Sequence, residues 1–459
     1  MKKNDTSAVY RLIVIGGGAA GLYAGAAAGL LCPAFPKKHR GLILERKPEP
    51  GKKLMITGSG QCNITHSGSI KNFPAHYHEA GKKIRTLLYA HSNEQVVSTF
   101  ASMGLRTFVR EDGKIFPESL SAREVKDILR KHCEKNGFSI QTDLTCTGLI
   151  PLDSAEEKDS SSLSSRSKPA PIAVSGVAGG SGSAAAARWK VICGRREYLA
   201  ENVLVAAGGA SVPETGSDGS FLRVLTELNF PISPVAPALV PVFIQRYPFR
   251  ELSGISFADA SLSVFGRGGR KKEERRGSLL LTHDAFSGPC IIDSSRQIET
   301  GDRLKINWIS ASSTEALLRA LTETAEKSKA SVSLHAARVL REAGTPRPQR
   351  FLDLQLLRCG LDPAQRAAQT GRKKWLSFLR ILTEDIFSVS GKGGFASALA
   401  TRGGVCLDAV DLKTMESKQH PGLWFAGEIL DVDGDTGGYN LQFAFSSAAC
   451  AVKNIYSGG

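Results

Sequence analysis

The stretch RLIVIGGGAAG, Arg11 to Gly21, decides the fold. An apolar run, Leu12 to Ile15, stops at Gly16-x-Gly18-x-x-Gly21 and passes into small residues, Leu22 to Leu31. The pattern predicts a buried strand, a tight turn and the start of a helix. Gly16 allows the turn, Gly18 lets a pyrophosphate approach the backbone, and Gly21 lets helix and strand pack closely. The amides at the helix start then face the phosphates, where the helix dipole favours negative charge. Glycines recur in loops for other reasons, so the motif needs its context, and the context is present. A second apolar run, Gly41 to Leu44, ends in Glu45, close to the spacing of an acidic residue on an adenosine ribose. A solvated strand end is the competing reading of Glu45. The strand–turn–helix–strand order favours the dinucleotide.

The chain has 459 residues, of which 42% are hydrophobic and 22% charged, a soluble globular composition with room for roughly two or three domains. The net charge of +15 admits nucleic acid, an anionic membrane or phosphorylated cofactors as partners. Much of it is local, in RGGRKKEERR (Arg267 to Arg276) and in Arg366 to Lys374. These runs read as solvated loops, and no aromatic residues interleave with them as stacking platforms for bases. Nucleic acid is therefore the minority reading. Nine cysteines without CxxC or regular spacing argue against a disulfide framework, a zinc site and a thioredoxin-like pair, and no metal is expected. A reducing cytoplasm fits. Lys2, Lys3 and apolar Leu12 to Cys32 imitate a signal peptide or anchor, but the glycines place a strand and turn there, and no membrane contact is expected.

Residues 1–10 read as a disordered tail and 11–212 as the first part of an α/β domain. Asn93 to Met103 is helix-like. Ser121-Ala122-Arg123-Glu124 reads as a capping box that opens a helix to about Asn136, stopped by Gly137. Phe138 to Thr147 alternates like a strand. Residues 151–187, rich in Ser, Ala and Gly, read as a low-complexity, flexible insertion between two hairpin strands. Strand patterns resume at Trp189 to Cys193 and Tyr198 to Ala206, the latter ending in the small-residue turn Ala206-Ala207-Gly208-Gly209-Ala210. From 213 to 312 short strands at Leu239 to Ile244, Ala260 to Phe265, Leu279 to Thr282 and Arg303 to Ile309 predict a β-barrel or sandwich. Residues 313–383 have helical patterns, with Asp362 as N-cap before Pro363. Residues 384–402 return through the barrel, and 403–459 resume the α/β domain, with strands at Gly403 to Ala409 and Leu423 to Ala426 and a helix from about Leu441 to Tyr456.

Two further segments carry chemistry. Gly51 to Thr65, GKKLMITGSGQCNIT, follows Glu45 closely and suits a loop that lies against a cofactor with backbone donors; a plain surface loop is the alternative. Far away, WFAGE (Trp424 to Glu428) ends a buried strand, and DGDTGGYNLQ (Asp433 to Gln442) is a glycine-rich loop opening a helix. Such a terminus stabilises charge on a reduced ring. Asp431, Asp433 and Asp435 do not make a calcium loop, because the sixth position is Thr436 and the twelfth Gln442.

With these segments on the page, the chain resembles the BaiN/YhiN-type flavoproteins, also described as aminoacetone-oxidase-like or NAD(P)/FAD-dependent oxidoreductases. The resemblance rests on IGGGAAGL, LERKPEPGKKLMITGSGQCNIT, VAAGGASVPETGSDG, PALVPV, LLLTHDAFSGPCIIDSSR, TRGGVCLD and TMESKQHPGLWFAGEILDVDGDTGGYNLQFAFSSAAC. It covers both ends and most of the middle. The chain departs from the pattern at the 151–187 insertion, at Gln61 (usually Arg) and at His66 (usually Asn). The resemblance implies an α/β fold class: an FAD-binding Rossmann-like domain of the two-dinucleotide-binding type, split by an inserted β-barrel and a small all-α domain. It implies FAD contacts at Gly16, Gly18, Ala19, Ala20 and Gly21 for the pyrophosphate, Glu45 and Arg46 for the ribose, and Cys146 beside adenine. Lys53, Gly58, Gly60, Cys62 and Asn63 would line the ribityl and ring region. Gly427, Glu428, Asn440, Leu441 and Gln442 would close over the flavin, and Ala207, Gly208, Asp433 and Gly438 complete the expected cofactor set.

Three residues are catalytic candidates. Cys62 could face the flavin, although an inert buried thiol explains it as well. His283, at a strand end, could donate a proton or merely structure a turn. Tyr439 is a donor candidate beside the ring. The expected activity is hydride transfer through flavin N5, with NADH or NADPH as a transient donor, to a small or steroid-like organic substrate. An RNA-modifying flavoenzyme and a non-catalytic flavin-binding protein are the alternatives. The sequence leaves the oligomeric state open.

Overall fold

The computed structural model describes residues 9–36, 40–152, 187–309 and 313–457. Its first sheet has seven strands. Val9–Ile15 lies at the centre, parallel to Gly41–Leu44 on one side and to Arg196–Val205 on the other. Phe138–Gln141 extends the parallel part beyond Gly41–Leu44. Leu423–Phe425 joins parallel to the end of Arg196–Val205, and the hairpin of Gly148–Pro151 and Trp189–Cys193 completes the sheet antiparallel. Leu12 to Ile15 and Leu42 to Leu44 are buried, as an unbroken apolar run requires of parallel strands covered on both faces. The helix Ala19–Leu31 packs on the helices Ala122–Lys135 and Tyr439–Ser457. Its small residues permit this: a Cβ at Gly25 would stand 2.9 Å from Cys133 Sγ.

The second sheet is a closed antiparallel barrel of Val242–Ile244, Ala285–Ser287, Lys271–Leu281, Ser256–Phe265, Arg303–Asn307 and Asp385–Lys392. Four helices, Thr314–Ala325, Val332–Glu342, Gln349–Arg358 and Arg372–Thr383, interrupt it before its last strand. Barrel and helices share one core, in which Phe351 of the third helix packs on Phe257 and Trp308 with ring centroids 4.7 and 5.2 Å apart. A two-stranded ladder of Ile232–Ala238 with Ala400–Val405 connects this unit to the first.

Several local expectations change. The first strand begins at Val9 inside the expected tail, and the rest of that tail lies outside the described residues. So do residues 153–186 of the insertion, although the hairpin that brackets them is formed. Phe138 to Thr147 is not one strand: it stops at Gln141, and the ladder resumes at Gly148. Phe221, Val224 and Phe230 join the core of the first sheet, so the chain leaves that core after 213. Ser121 precedes its helix but makes no capping hydrogen bond, because Ser119 Oγ takes the Glu124 carboxylate instead. Asp362 opens no helix: its carboxylate accepts from Ala364 N–H at 2.9 Å and closes a turn. The basic run Arg267 to Arg276 is not a free loop. It enters the strand Lys271–Leu281, where Arg276 pairs with Asp259 at 2.5 Å and Lys272 with Asp302 at 2.9 Å. Among the described residues no helix is long and apolar enough to cross a membrane.

Candidate functional site

The parallel strands end at a cleft of about 1350 Å³, part of it open to solvent. Ile15, Leu44, Ala206 and Ala426, each at or just past a strand's carboxyl end, form its floor. This is where open α/β sheets bind ligands.

The three motif glycines do three different things. Gly16 has φ +104°, and a Cβ there would stand 2.3 Å from Ala206 O. A Cβ at Gly21 would stand 1.9 Å from Gly16 O, so Gly21 packs helix on turn and does not line the cleft. A Cβ at Gly18 would meet nothing within 4 Å and would occupy cleft space. Gly18 is also the N-cap of Ala19–Leu31 and brings no side-chain acceptor, so the first-turn N–H groups are left for a ligand. At the second strand end, Glu45 accepts from Gly17 N–H at 2.9 Å and from Lys47 N–H at 2.8 Å. Burial pushes its carboxyl up, opposed by those N–H bonds. Ser217 Oγ, buried in the same lining, has no hydrogen-bond partner among the described residues. An open backbone approach, uncapped amides, a carboxylate and an orphaned hydroxyl fit a dinucleotide.

Of the expected cofactor residues, Gly16, Gly18, Ala19, Ala20, Glu45, Arg46, Lys53, Cys146, Ala207, Gly208, Gly427, Glu428, Asn440 and Leu441 line the cleft. Arg46 is already engaged, with Asp218 Oδ1 at 2.6 Å and Ser220 Oγ at 3.1 Å. Asn440 spends its side chain on Gly434, donating to its carbonyl at 2.8 Å and accepting from its N–H at 2.9 Å. Lys53 donates to Glu428 Oε2 at 2.5 Å and to Ser211 Oγ. Glu428 Oε1 accepts from Ser211 Oγ at 2.7 Å and Thr401 N–H at 2.8 Å. Nothing in the local pattern of Ser211 or Thr401 marks them; only the knot does.

Other expected residues sit off the lining. Gly58, Gly60, Cys62 and Asn63 form a tight turn behind Thr57, with φ of 55°, 86° and 60° at the first three. Asn63 Oδ1 is buried without a partner among the described residues. Burial pushes the Cys62 thiol up to about 12, which removes the thiolate that reactivity needs. Gly438 is locked against Thr65, where a Cβ would stand 2.7 Å from its backbone. Gln442 is wholly buried; it donates to His91 O at 3.1 Å and to Ser446 Oγ at 2.8 Å, and accepts from Thr65 Oγ1 at 2.6 Å. Its role is to anchor a helix. His283 is exposed in the turn between two barrel strands.

Tyr439 belongs to a second polar centre, which the sequence did not disclose. Its ring stacks on His76 at 4.0 Å and on His66 at 5.6 Å, and burial pushes its hydroxyl up to about 12. His76 Nδ1 lies 3.1 Å from Asp435 Oδ2, and Arg275 Nη1 lies 3.4 Å from the same oxygen. His78, at φ +49°, reaches within 3.7 Å of the other oxygen. Asp293 accepts from Thr436 N–H at 2.8 Å and Oγ1 at 3.0 Å, and burial pushes its carboxyl up to about 6. Asp433 leaves the expected cofactor set for Arg296, which holds it at 2.7 and 2.9 Å and reaches Glu79 at 2.5 Å. The barrel thus clamps the loop between Val432 and Asn440, both of which line the cleft.

Comparison with known proteins finds relatives along the whole length of the chain. The chain is 25% identical over 443 residues to the ribosomal RNA dihydrouridine synthase of Haemophilus influenzae, covering 96% of this chain and 97% of that protein. It is 25% identical over 448 residues to the 3-dehydro-bile acid delta(4,6)-reductase of Clostridium scindens, covering 96% and 98%. Among solved structures, the 3-ketosteroid delta1-dehydrogenase of Sterolibacterium denitrificans superposes with a TM-score of 0.49 at 12% identity, covering 98% of this chain and all of that one (100%). The family model described as HI0933-like protein Rossmann domain matches residues 10–454, and the chain belongs to that family.

Proposed function

We propose that this chain is an FAD-dependent oxidoreductase acting on a carbon–carbon double bond conjugated to a carbonyl in a small, steroid-like organic molecule. The observation that carries the reading is the cleft at the strand ends, with open Gly18 and uncapped amides at one end and the Lys53–Glu428 knot beside Asn440 and Leu441 at the other. Bound FAD supplies the two-electron, hydride-transferring chemistry. The protein's own work is then to hold phosphates at Gly18, Ala19 and Ala20, the ribose at Glu45 and adenine beside Cys146. The N-terminus of Tyr439–Ser457 favours negative charge at the far end. Proton supply falls to His76: Asp435 orients its Nδ1, its Nε2 has no hydrogen-bond partner among the described residues, and its side chain is 37% exposed, open to exchange with water. Tyr439 carries the stack beneath it. Cys62 and His283 have no part in this reading.

The substrate class rests on the bile acid reductase among the relatives. The dihydrouridine synthase supports a second substrate of the same chemistry, since dihydrouridine is uridine with two hydrogens added. The net charge of +15 favours that reading, while the pairing of Lys272 and Arg276 weakens it. NADH or NADPH is the proposed electron source.

The purified protein should absorb near about 370 and about 450 nm, the bands of oxidised flavin. A colourless protein that stays colourless with added FAD overturns the reading. Anaerobic mixing with NADH and NADPH, then with 4-androstene-3,17-dione or uridine-containing RNA, separates the substrates. No bleaching with either nucleotide or with a chemical reductant leaves a non-catalytic flavin-binding protein. RNA binding that weakens steeply with salt favours RNA.

A further inference from the structure

Among the described residues, Leu399 is the one large apolar side chain that is exposed, at 57%, and also lines the cleft. It occupies the bend that leads into the strand Ala400–Val405, two residues before Thr401. Ala398 and Ala400 on either side of it are buried. Thr401 Oγ1 accepts from Ala210 N–H at 2.7 Å and from Ser211 N–H at 3.0 Å, and Thr401 N–H donates to Glu428 Oε1. Two residues of chain span at most about 7 Å. Leu399 therefore belongs to the end of the cleft closed by the Lys53–Glu428 pair.

Two residues in rare backbone conformations hold this bend. Leu399 N–H donates to Leu239 O at 3.3 Å, and Phe395 O, four residues earlier, accepts from Val212 N–H at 2.9 Å. Leu239 has φ +55° and Val212 has φ +52°, a left-handed backbone that is uncommon for leucine and an outlier for β-branched valine. Such conformations persist where the surrounding structure over-determines them, and they cluster at ligand clamps. An apolar side chain fixed in a ligand cleft and left in water gains when a ligand's apolar surface covers it. It offers no hydrogen-bond partner to a polar edge.

We propose that Leu399 determines the substrate class of the cleft. It packs on the carbon skeleton of an alicyclic enone. It disfavours a uracil ring, whose carbonyl and N–H edges would lose water against it without gaining a hydrogen bond. The proposal rests on the reading of the cleft as a flavin site that acts on such a double bond, and it favours the steroid-like substrate over uridine.

The test uses the full-length, flavin-loaded protein in equilibrium dialysis against 4-androstene-3,17-dione and against uridine. FAD affinity is measured separately, by fluorescence titration of the stripped protein. The wild type should bind the steroid more tightly than uridine. Leu399→Asn keeps the size of the side chain and removes its apolar surface. It should weaken steroid binding about tenfold, the scale on which an apolar pocket discriminates, and leave FAD affinity unchanged. Leu399→Met conserves volume and apolarity and should bind the steroid as the wild type does. Equal steroid affinity in the wild type and Leu399→Asn overturns the proposal. So does a Leu399→Asn protein that loses FAD affinity in place of steroid affinity, which makes Leu399 a flavin contact, or a wild type that prefers uridine. These three outcomes leave the flavin site standing, whereas a protein that takes up no flavin overturns the reading of the cleft together with this one.

Discussion

Lys53 Nζ and Glu428 Oε2 stand 2.5 Å apart, although 375 residues separate them in the chain. Ser211 and Thr401 complete the knot, so four distant segments meet at one end of the cleft. Each of the two charged side chains is 22% exposed, which makes the pair stronger than a surface ion pair and leaves it within reach of a ligand.

Lys53→Met should loosen the segment after Gly51 while Glu428 keeps its bonds from Ser211 and Thr401. Flavin affinity should weaken about tenfold, or about 1.4 kcal/mol, with the fold retained. Fluorescence titration of the stripped protein with FAD measures this, and an unchanged dissociation constant removes Lys53 from the binding site.

Gly18 and Gly21 should fail differently. Gly18→Val places its Cβ in cleft space with no protein atom within 4 Å of it, so the variant should melt near the wild-type temperature of stripped protein yet retain no flavin. Gly21→Val drives a side chain into the Gly16 carbonyl, an overpacking that costs about 1–3 kcal/mol or more. Circular dichroism with absorption spectra separates the two, and a yellow Gly18→Val protein contradicts the phosphate-turn assignment.

Arg296 holds Asp433 with two bonds while only 12% exposed itself. Arg296→Met leaves a buried carboxylate without its partner, which costs about 3–5 kcal/mol. Denaturant unfolding should show that loss, and a loss under 1 kcal/mol would mean that the loop holds without the barrel.

Asp293 should give the protein a pH signature. Its folded pKa of about 6 lies above the unfolded value of about 3.9. The folded state therefore holds the proton more tightly, and this group's contribution to stability falls as pH rises from about 4 to about 6, by on the order of 2–3 kcal/mol. Wild-type stability relative to Asp293→Asn should decline across that window and level off above it. A difference that stays level from pH 4 to 8, or rises, refutes the shift. Asp435, Arg275 and Thr436 face this carboxyl in the wild type, and Asn is the near-isosteric replacement that removes its titration.

Local physics made the nucleotide end legible. An apolar run into Gly16-x-Gly18-x-x-Gly21 has one economical conformation: Gly16 makes the turn, Gly21 packs the helix on it, and Gly18 leaves open space beside it. The barrel was legible as short alternating strands, and the four helices as periodic runs. Where a side chain had two partners within reach, local rules failed: Ser119 displaced Ser121 at a helix start, and Asp362 closed a turn in place of capping a helix.

The sequence by itself determined the glycine turn, the strand that follows it and the helix that closes the chain, because backbone sterics and apolar period act within a few residues. Only the tertiary structure decided which polar residues face the cleft. Gln442 and Cys62 lie in the expected motifs yet are buried away from it, while Ser211, Thr401 and Ser217 line or brace it without any local mark. The pairing of Arg296 with Asp433 and of His76 with Tyr439 was likewise set by packing. Hydrogen bonds and charges act over a few ångströms of space, and the fold alone brings residues hundreds of positions apart within that distance.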